Sequence, residues 1–312
     1  MTGPAAGCPA CGGPLASWMQ VPGGEPSDRH LYPLLRCQRC GSVVTGGEPP
    51  GPDAYETGVY APGAPRALAL VRALQRAATA QPARLLRRAG VAPGARVLDA
   101  RAGRGRLVAE LSRRGYEAAG IEPSARGAAA ASAAGVSVRA ESVGDHEDTG
   151  LDAVVLWHVL EHLDDPVAAL RRVREWLAPG GVVLVAVPNP ASWQAAIGGS
   201  GWLHWDAPRH RVHLTPAGVR ELLGRAGLAP VHWSHFVLEH NPGGMWMAFL
   251  SRLGMTPAFP FHLLKRNVPA RPRDLGLLVL GVPLAPVAVA VEAAAAAARR
   301  GGTVAVVARV AS

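Results

Sequence analysis

The stretch Val97-Leu98-Asp99-Ala100-Arg101-Ala102-Gly103-Arg104-Gly105 constrains the fold of this chain more than any other segment. An apolar run gives way to a small-residue turn and then to helix-forming Leu107 to Arg114, as where a strand passes into a helix. Backbone amides at such a turn can approach a ligand closely, and the helix N-terminus favours polar or anionic groups. Tyr116 to Ile121 reads as the next strand, and Glu122 after it is placed to hold ribose hydroxyls. The glycines alone would be a weak signal. The strand, turn, helix, strand and acid together specify a nucleoside-binding βαβ unit.

The alternation continues downstream. Helices are expected over Ser124 to Ala134, Pro166 to Leu177 and Pro216 to Ala226, and strands over Val136 to Ala140, Leu151 to Trp157, Val182 to Val187 and Val231 to Leu238. This order implies an α/β fold with a parallel, doubly wound sheet and right-handed crossovers. Asp164 or Asp165 can cap the helix that begins at Pro166, and Pro179-Gly180-Gly181 should stop it. Helical spacing from Arg66 to Ala89 predicts one or two helices ahead of the first core strand, capping the cleft.

These residues resemble the class I S-adenosylmethionine-dependent methyltransferases. The 97–105 turn matches their first motif and Glu122 their ribose-binding acid. Leu151 to His162, Asp164-Asp165-Pro166, and Leu177 to Pro188 are similar to the fourth strand, helix and fifth strand of ubiquinone-type small-molecule methyltransferases. The resemblance covers roughly Val91 to Leu228. It implies a Rossmann-like, mostly parallel sheet with Thr303 to Val310 as an antiparallel last strand. It also implies S-adenosyl-L-methionine as cofactor, held by Asp99, Arg101, Gly103, Gly105, Glu122 and Trp157. Arg101 stands where the family places a glycine. Its side chain can turn outward, pair with the cofactor carboxylate, or block the site.

All four cysteines fall in two pairs, Cys8-Pro9-Ala10-Cys11 and Cys37-Gln38-Arg39-Cys40, each followed by glycine. Two such hairpins facing one another supply the four thiolates of a closed tetrahedral Zn2+ site. Disulfides or free thiols are the alternatives, and the lack of a signal-like apolar segment in the first 30 residues favours zinc and a cytoplasmic protein. The chain then divides into a zinc ribbon over 1–46, a linker and capping helices over 47–94, a core over 95–240, an apolar helical insertion over 241–302, and the last strand over 303–312.

The net charge of +9 raises the question of nucleic acid, but the basic residues are scattered arginines with Lys265 the only lysine, as on a solvated surface. Within the insertion, Leu275 to Val291 is apolar apart from glycine and proline, yet it is shorter than the ~20 residues of a bilayer span. A buried helical hairpin is one reading. The other is peripheral membrane contact through 275–298, or a lipid-linked substrate, with Arg266, Arg271 and Arg273 meeting lipid phosphates.

His158-Val159-Leu160-Glu161-His162 fits the H-x-x-E-H pattern of zinc peptidases, but it starts where a buried strand ends rather than within a long helix. It is instead expected to fix the loop beside the cofactor. Methyl transfer needs an acceptor aligned in-line, and a hydroxyl acceptor needs a base. The segment Trp202 to Thr215 follows the fifth strand, where acceptor loops sit in this fold and where relatives carry a similar Pro-Arg-His element. His210 is therefore the first choice of base, with His213 or His158 second, and Trp202, Trp205 and Tyr60 form walls. Tyr55 and Tyr60 are placed to close over the cofactor or simply to pack down as linker aromatics, and Arg209 and His210 have a loop-pinning role as their alternative. The acceptor is expected to be a small molecule, a sugar or a lipid-linked precursor, methylated at O, C or N. Ribosomal RNA methylation is a second reading, although Trp157-His158-Val159-Leu160 lacks the Asn/Asp-Pro-Pro-aromatic turn common there. A third is a binding protein whose cofactor site Arg101 has closed. The sequence is silent on oligomeric state.

Overall fold

The computed structural model describes residues 7–25, 27–51, 69–264, 268–269 and 271–311. Two sheets organise them. The larger has seven strands in the order β10-β11-β8-β7-β4-β5-β6. These are β4 (Arg96–Asp99), β5 (Glu117–Ile121), β6 (Val138–Arg139), β7 (Leu151–Trp157), β8 (Leu177–Pro188), β10 (Leu228–Ser234) and β11 (Thr303–Val310). Strands β8, β7, β4, β5 and β6 pair in parallel, and β11 runs antiparallel to both β8 and β10. This is the expected doubly wound architecture with its reversed last strand.

The sheet buries both faces because its strands are apolar without interruption. Leu98, Val154, Leu156, Val183 and Val185 point to one face, under α4 (Pro166–Trp176) and α6 (Pro216–Arg225). Val97, Ala153, Val155, Val182 and Leu184 point to the other, under α1 (Ala69–Arg88) and α2 (Arg106–Arg113). Caps set the helix starts: Ser124 before α3 (Ala125–Ala133), Asp165 before α4 and Thr215 before α6 each accept a hydrogen bond from a first-turn amide.

Two local expectations shift. Helix α4 ends at Trp176, and Pro179-Gly180-Gly181 lies inside β8, where the register slips between Leu151 and Ala153. A Cβ on Gly181 would stand 2.8 Å from the Leu151 carbonyl oxygen, so the irregular pairing needs glycine there. Strand β10 starts at Leu228, not Val231, because its register with β11 begins at Leu228 opposite Val310. Beyond Ser234 the Gln81 side chain takes over as partner, donating to the Phe236 carbonyl (2.7 Å) and accepting from the Leu238 amide (2.8 Å). Helix α1 packs Ala83, Leu85 and Leu86 onto the sheet, and residues 52–68 of the segment expected to cap the cleft lie outside the described residues.

The smaller sheet has the order β1-β2-β3-β9, with β1 (Leu15–Pro22), β2 (Leu31–Cys37), β3 (Val43–Thr45) and β9 (Val212–His213), all antiparallel. Its fourth strand comes from the far side of the core, so pairing crosses the boundary drawn at residue 46. The insertion is helical: α7 (Asn241–Arg252), α8 (Phe259–Leu264), α9 (Pro272–Gly281) and α10 (Leu284–Ala297), following the short α5 (Trp193–Gly198) in the preceding loop. Buried Glu292 fastens it, accepting from Asn241 Nδ2 (2.7 Å), Gln194 Nε2 (2.8 Å) and the Gly302 amide (2.9 Å). Among the described residues no single helix is long and apolar enough to cross a membrane, though α9 and α10, bent by 66°, pass such a test as a pair.

Candidate active site

A cavity of about 500 Å³ opens at the C-terminal ends of β4, β5 and β7, where a doubly wound sheet places its ligands. Its cofactor end is the 97–105 turn. The left-handed backbone positions fall on Gly103 (φ 53°) and Gly105 (φ 72°), and none falls on Arg101. An arginine is therefore tolerated where the family has glycine, and its half-buried side chain lines the cavity. A Cβ at Gly105 would meet Val136 Cγ1 at 2.6 Å, so that glycine also lets α2 start against the next loop.

Glu122 lines the same wall. Its Oε2 accepts from the Gly103 amide and its Oε1 from the Ser124 amide, both at 2.9 Å. Each oxygen keeps a further lone pair, enough for a ribose diol. Asp99 lies behind the turn, outside the cavity wall; burial pushes its carboxyl up to about 7, against a hydrogen bond from the Arg101 amide. Trp157 lines the cavity and donates to Glu239 Oε2 at 3.1 Å.

The acceptor end is aromatic and rich in histidine. Trp202 and Trp205, buried edge to face with centroids 4.9 Å apart, line it together with His158, His162, His204 and His210. A carboxylate and a carbonyl only accept, which settles the tautomers. His158 Nδ1 donates to Glu161 Oε1 (2.9 Å), His210 Nδ1 to the His204 carbonyl (2.8 Å) and His162 Nδ1 to the Arg209 carbonyl (3.2 Å). In the neutral rings the lone pair is thus on Nε2. Donor atoms of Glu161, His162 and His210 lie within 4.8 Å of one another, an arrangement that can share a proton or hold a cation. Burial opposes ionisation of Glu161, yet the His158 hydrogen bond and the field of His210 hold its carboxyl below the usual range. Burial, with His210 and Arg101 nearby, keeps His162 well below an ordinary histidine.

His213 takes another place. It is buried outside the cavity wall, its Nε2 bonded to Thr45 Oγ1 (2.9 Å) and its ring edge-on to Trp205 at 4.9 Å. It supports Trp205 and does not reach the space an acceptor would occupy. The 158–162 pattern spans the end of β7 and a single 3-10 turn (Leu160–His162), as expected for a loop and not a peptidase helix. Tyr55, Tyr60 and Arg266 lie outside the described residues.

Sequence reasoning missed Glu239 and His240, which line the cavity from the segment just ahead of the insertion. The His240 ring lies 4.2 Å from His158, and burial together with His158 takes it down to about 4. The visible signal was a Glu-His pair directly ahead of the Asn-Pro start of α7. Also missed were Phe261 of α8 and the Pro22-Gly23-Gly24 loop, two cavity walls contributed by distant segments.

The four cysteines are buried together and not disulfide-linked. Cys8 and Cys40 Sγ are 3.7 Å apart and Cys11 and Cys37 3.4 Å. A tetrahedron with ~2.3 Å metal–sulfur arms has edges of about 3.8 Å, so the donor set fits zinc. The hydrogen bond between Cys8 and Cys40 raises the Cys8 thiol and brings Cys40 down to about 4. Amides of Gly13 and Arg39 donate to Cys11 and Cys37 sulfurs, both at 3.4 Å.

Comparison with known proteins agrees with this geometry. A methyltransferase-domain family model matches residues 70–233, just over half of the chain. A ubiquinone biosynthesis O-methyltransferase of Cereibacter sphaeroides is 32% identical over 152 residues, covering 44% of this chain and 62% of that protein. Its counterpart from Ruegeria pomeroyi is 32% identical over 160 residues, covering 47% and 64%. The match thus spans about three-fifths of these relatives' length. Magnesium protoporphyrin IX methyltransferase from Synechocystis, solved with bound SAH, aligns with a TM-score of 0.44 and 17% identity, covering 56% of this chain and 83% of that one. The family match, on a chain whose sheet, glycine turn and acidic strand end are those of the fold, makes this protein a member of the class I S-adenosylmethionine-dependent methyltransferases.

Proposed function

We propose that this chain moves a methyl group from S-adenosylmethionine to a hydroxyl oxygen of a small molecule. The observation that carries this reading is one continuous cavity joining the glycine turn and Glu122 to the tryptophan and histidine cluster. S-adenosylmethionine supplies an electrophilic methyl on a sulfonium. The chain's own residues position and deprotonate: Gly103 admits the cofactor's backbone-close approach, Gly105 lets α2 start against Val136 behind the turn, Glu122 holds the ribose, and Trp157 packs against the cofactor. Trp202 and Trp205 confine an aromatic or otherwise flat acceptor. His210 Nε2, oriented by its Nδ1 bond to His204, takes the hydroxyl proton. Oxygen is favoured over carbon and nitrogen because the curated relatives are O-methyltransferases and the pocket supplies a base.

The test is calorimetry with S-adenosylhomocysteine, followed by methyl transfer from labelled cofactor to a panel of phenols and catechols. Micromolar binding and label in an ether product support the reading. No heat from the intact protein would mean that Arg101 has closed the site.

The cysteine cluster is read as a structural zinc site. Four sulfurs leave no open position, and elemental analysis should find one zinc per chain. A second reading concerns the acceptor's source. Val279, Leu280 and Val282, at the bend between α9 and α10, are each at least 65% exposed, and Arg271 and Arg273 at the opposite, N-terminal end of α9 face solvent. This face fits a membrane surface presenting a lipid-linked acceptor. Co-flotation with anionic liposomes supports it, and absence of co-flotation removes it.

A further inference from the structure

The zinc ribbon is not a satellite. Val21, Leu34 and Val43 from its three strands share one buried cluster with Trp202, Trp205 and Ala207 of the acceptor loop. Trp18 packs its ring edge against Trp205 at 5.7 Å. Thr45 donates to the His210 carbonyl (2.7 Å), and its amide donates to the Arg211 carbonyl (3.0 Å). The ribbon therefore holds the segment that carries both tryptophans and the base.

Its β1–β2 loop goes further and forms part of the cavity surface through Pro22, Gly23 and Gly24. Three elements converge on Gly24. Its amide donates to the Ala207 carbonyl (2.7 Å), and its carbonyl accepts from His262 Nε2 of α8 (3.2 Å). A Cβ built on it would stand 2.1 Å from Asp206 Oδ1 and 2.7 Å from an Arg209 terminal nitrogen. Arg209, with 3% of its side chain exposed, pairs with Asp206 and, at 2.5 Å, with Glu25 of the same loop. A charge so buried is fixed by both carboxylates, and they fix the loop in turn.

We propose that the Pro22–Glu25 loop of the ribbon is a specificity wall of the acceptor pocket, which sets the room available to the acceptor and holds residues 202–210 in place while leaving the cofactor turn independent. The inference rests on the methyl-transfer reading of the cavity. The loop bonds to Ala207, Arg209 and His262, whereas Glu122 bonds the amides of Gly103 and Ser124, so a change at Gly24 should be felt at the acceptor end first.

Gly24→Ala pushes the loop off the Asp206–Arg209 pair. In hydrogen–deuterium exchange, amides of 202–210 should exchange at least about tenfold faster, while 97–127 and the calorimetric affinity for S-adenosylhomocysteine stay within about twofold. Relative methylation of 4-methylcatechol and 4-tert-butylcatechol should shift through KM rather than kcat. Unchanged exchange at 202–210, or a parallel fall in cofactor affinity, overturns the proposal. If Gly24→Ala does not fold, Glu25→Gln, which keeps the shape and removes one carboxylate charge from Arg209, gives the same two readouts. If the parent methylates neither catechol, the phenol reading of the acceptor fails, while exchange and cofactor affinity still decide the wall.

Discussion

The two ends of the cavity are built by different means. Apart from Trp157 at the end of β7, the cofactor end is a single stretch of chain, 97–127, whose turn, helix and acid lie within one βαβ unit and bond to one another, as Glu122 does to Gly103. The acceptor end is assembled from the ribbon loop, the end of β7, the 202–210 loop and the segment just ahead of the insertion. A local site inherits its geometry from backbone conformation and survives damage elsewhere. A composite site is only as well defined as the packing that brings its parts together, and its chemistry can change without touching the cofactor.

The largest effect should come from the ribbon. Structural zinc in small folds contributes on the order of 10 kcal/mol, and β1 to β3 have little else of their own to bury. Cys37→Ser should release the metal, expose Trp202 and Trp205 and abolish methyl transfer. Affinity for S-adenosylhomocysteine should fall by less than about tenfold. Elemental analysis, tryptophan fluorescence and calorimetry check the three parts, and a cofactor end that collapses with the ribbon would break the distinction between the two sites. Next in size, His210→Ala should lower kcat by about 10²–10⁴-fold and leave cofactor affinity within about threefold. Unchanged turnover would remove His210 from the chemistry and leave it a loop-pinning role.

What could be read in advance follows the same division. Gly103 and Glu122 were legible because their relationship is one of sequence spacing in a βαβ unit, and the cysteine pairs because a tetrahedral donor set has a local signature, whereas Asp99 and Gly105, nominated on the same spacing, lie outside the cavity wall. Periodicity placed most strands and helices, and it failed where pairing decides, as in the glycine-dependent start of β8 and the Gln81-capped end of β10. Trp202, Trp205 and His210 could be nominated from their position after the fifth strand. Their neighbours could not: His240 and Gly24 reach the pocket through long-range packing that no spacing encodes. His213 shows the reverse error, since two histidines three residues apart look equivalent in sequence, yet β9 turns one of them toward Thr45.

A smaller effect probes the cofactor end through pH. Burial lifts Asp99 from 3.8 to about 7, so the folded protein keeps this proton after the unfolded chain has lost it. Its contribution to stability is therefore greatest below about pH 4 and declines as pH rises to about 7, by up to about 4 kcal/mol. Asn at this position cannot ionise. The stability of Asp99→Asn relative to the parent should rise across that window and be flat above it, as read from urea melts at several pH values. A gap that does not vary with pH would mean that Asp99 loses its proton at the same pH in the folded and the unfolded chain.

The smallest effect is expected where the sequence looked most anomalous. Arg101 replaces a family glycine, but the turn places its left-handed residues at Gly103 and Gly105. Restoring glycine relieves no strain, so Arg101→Gly should change affinity for S-adenosylhomocysteine by less than about threefold. The same measurement on Gly103→Ala gives the contrast, since a side chain at φ 53° costs about 1 kcal/mol even though the space beside it is open. What Arg101→Gly should alter lies at the other end of the cavity. The guanidinium helps to keep His162 uncharged, and its removal should move that histidine's titration upward, visible in the imidazole NMR signals. A large gain in cofactor affinity would instead show that the arginine occupies the cofactor's space, and the local site would then be the one whose geometry depends on a side chain.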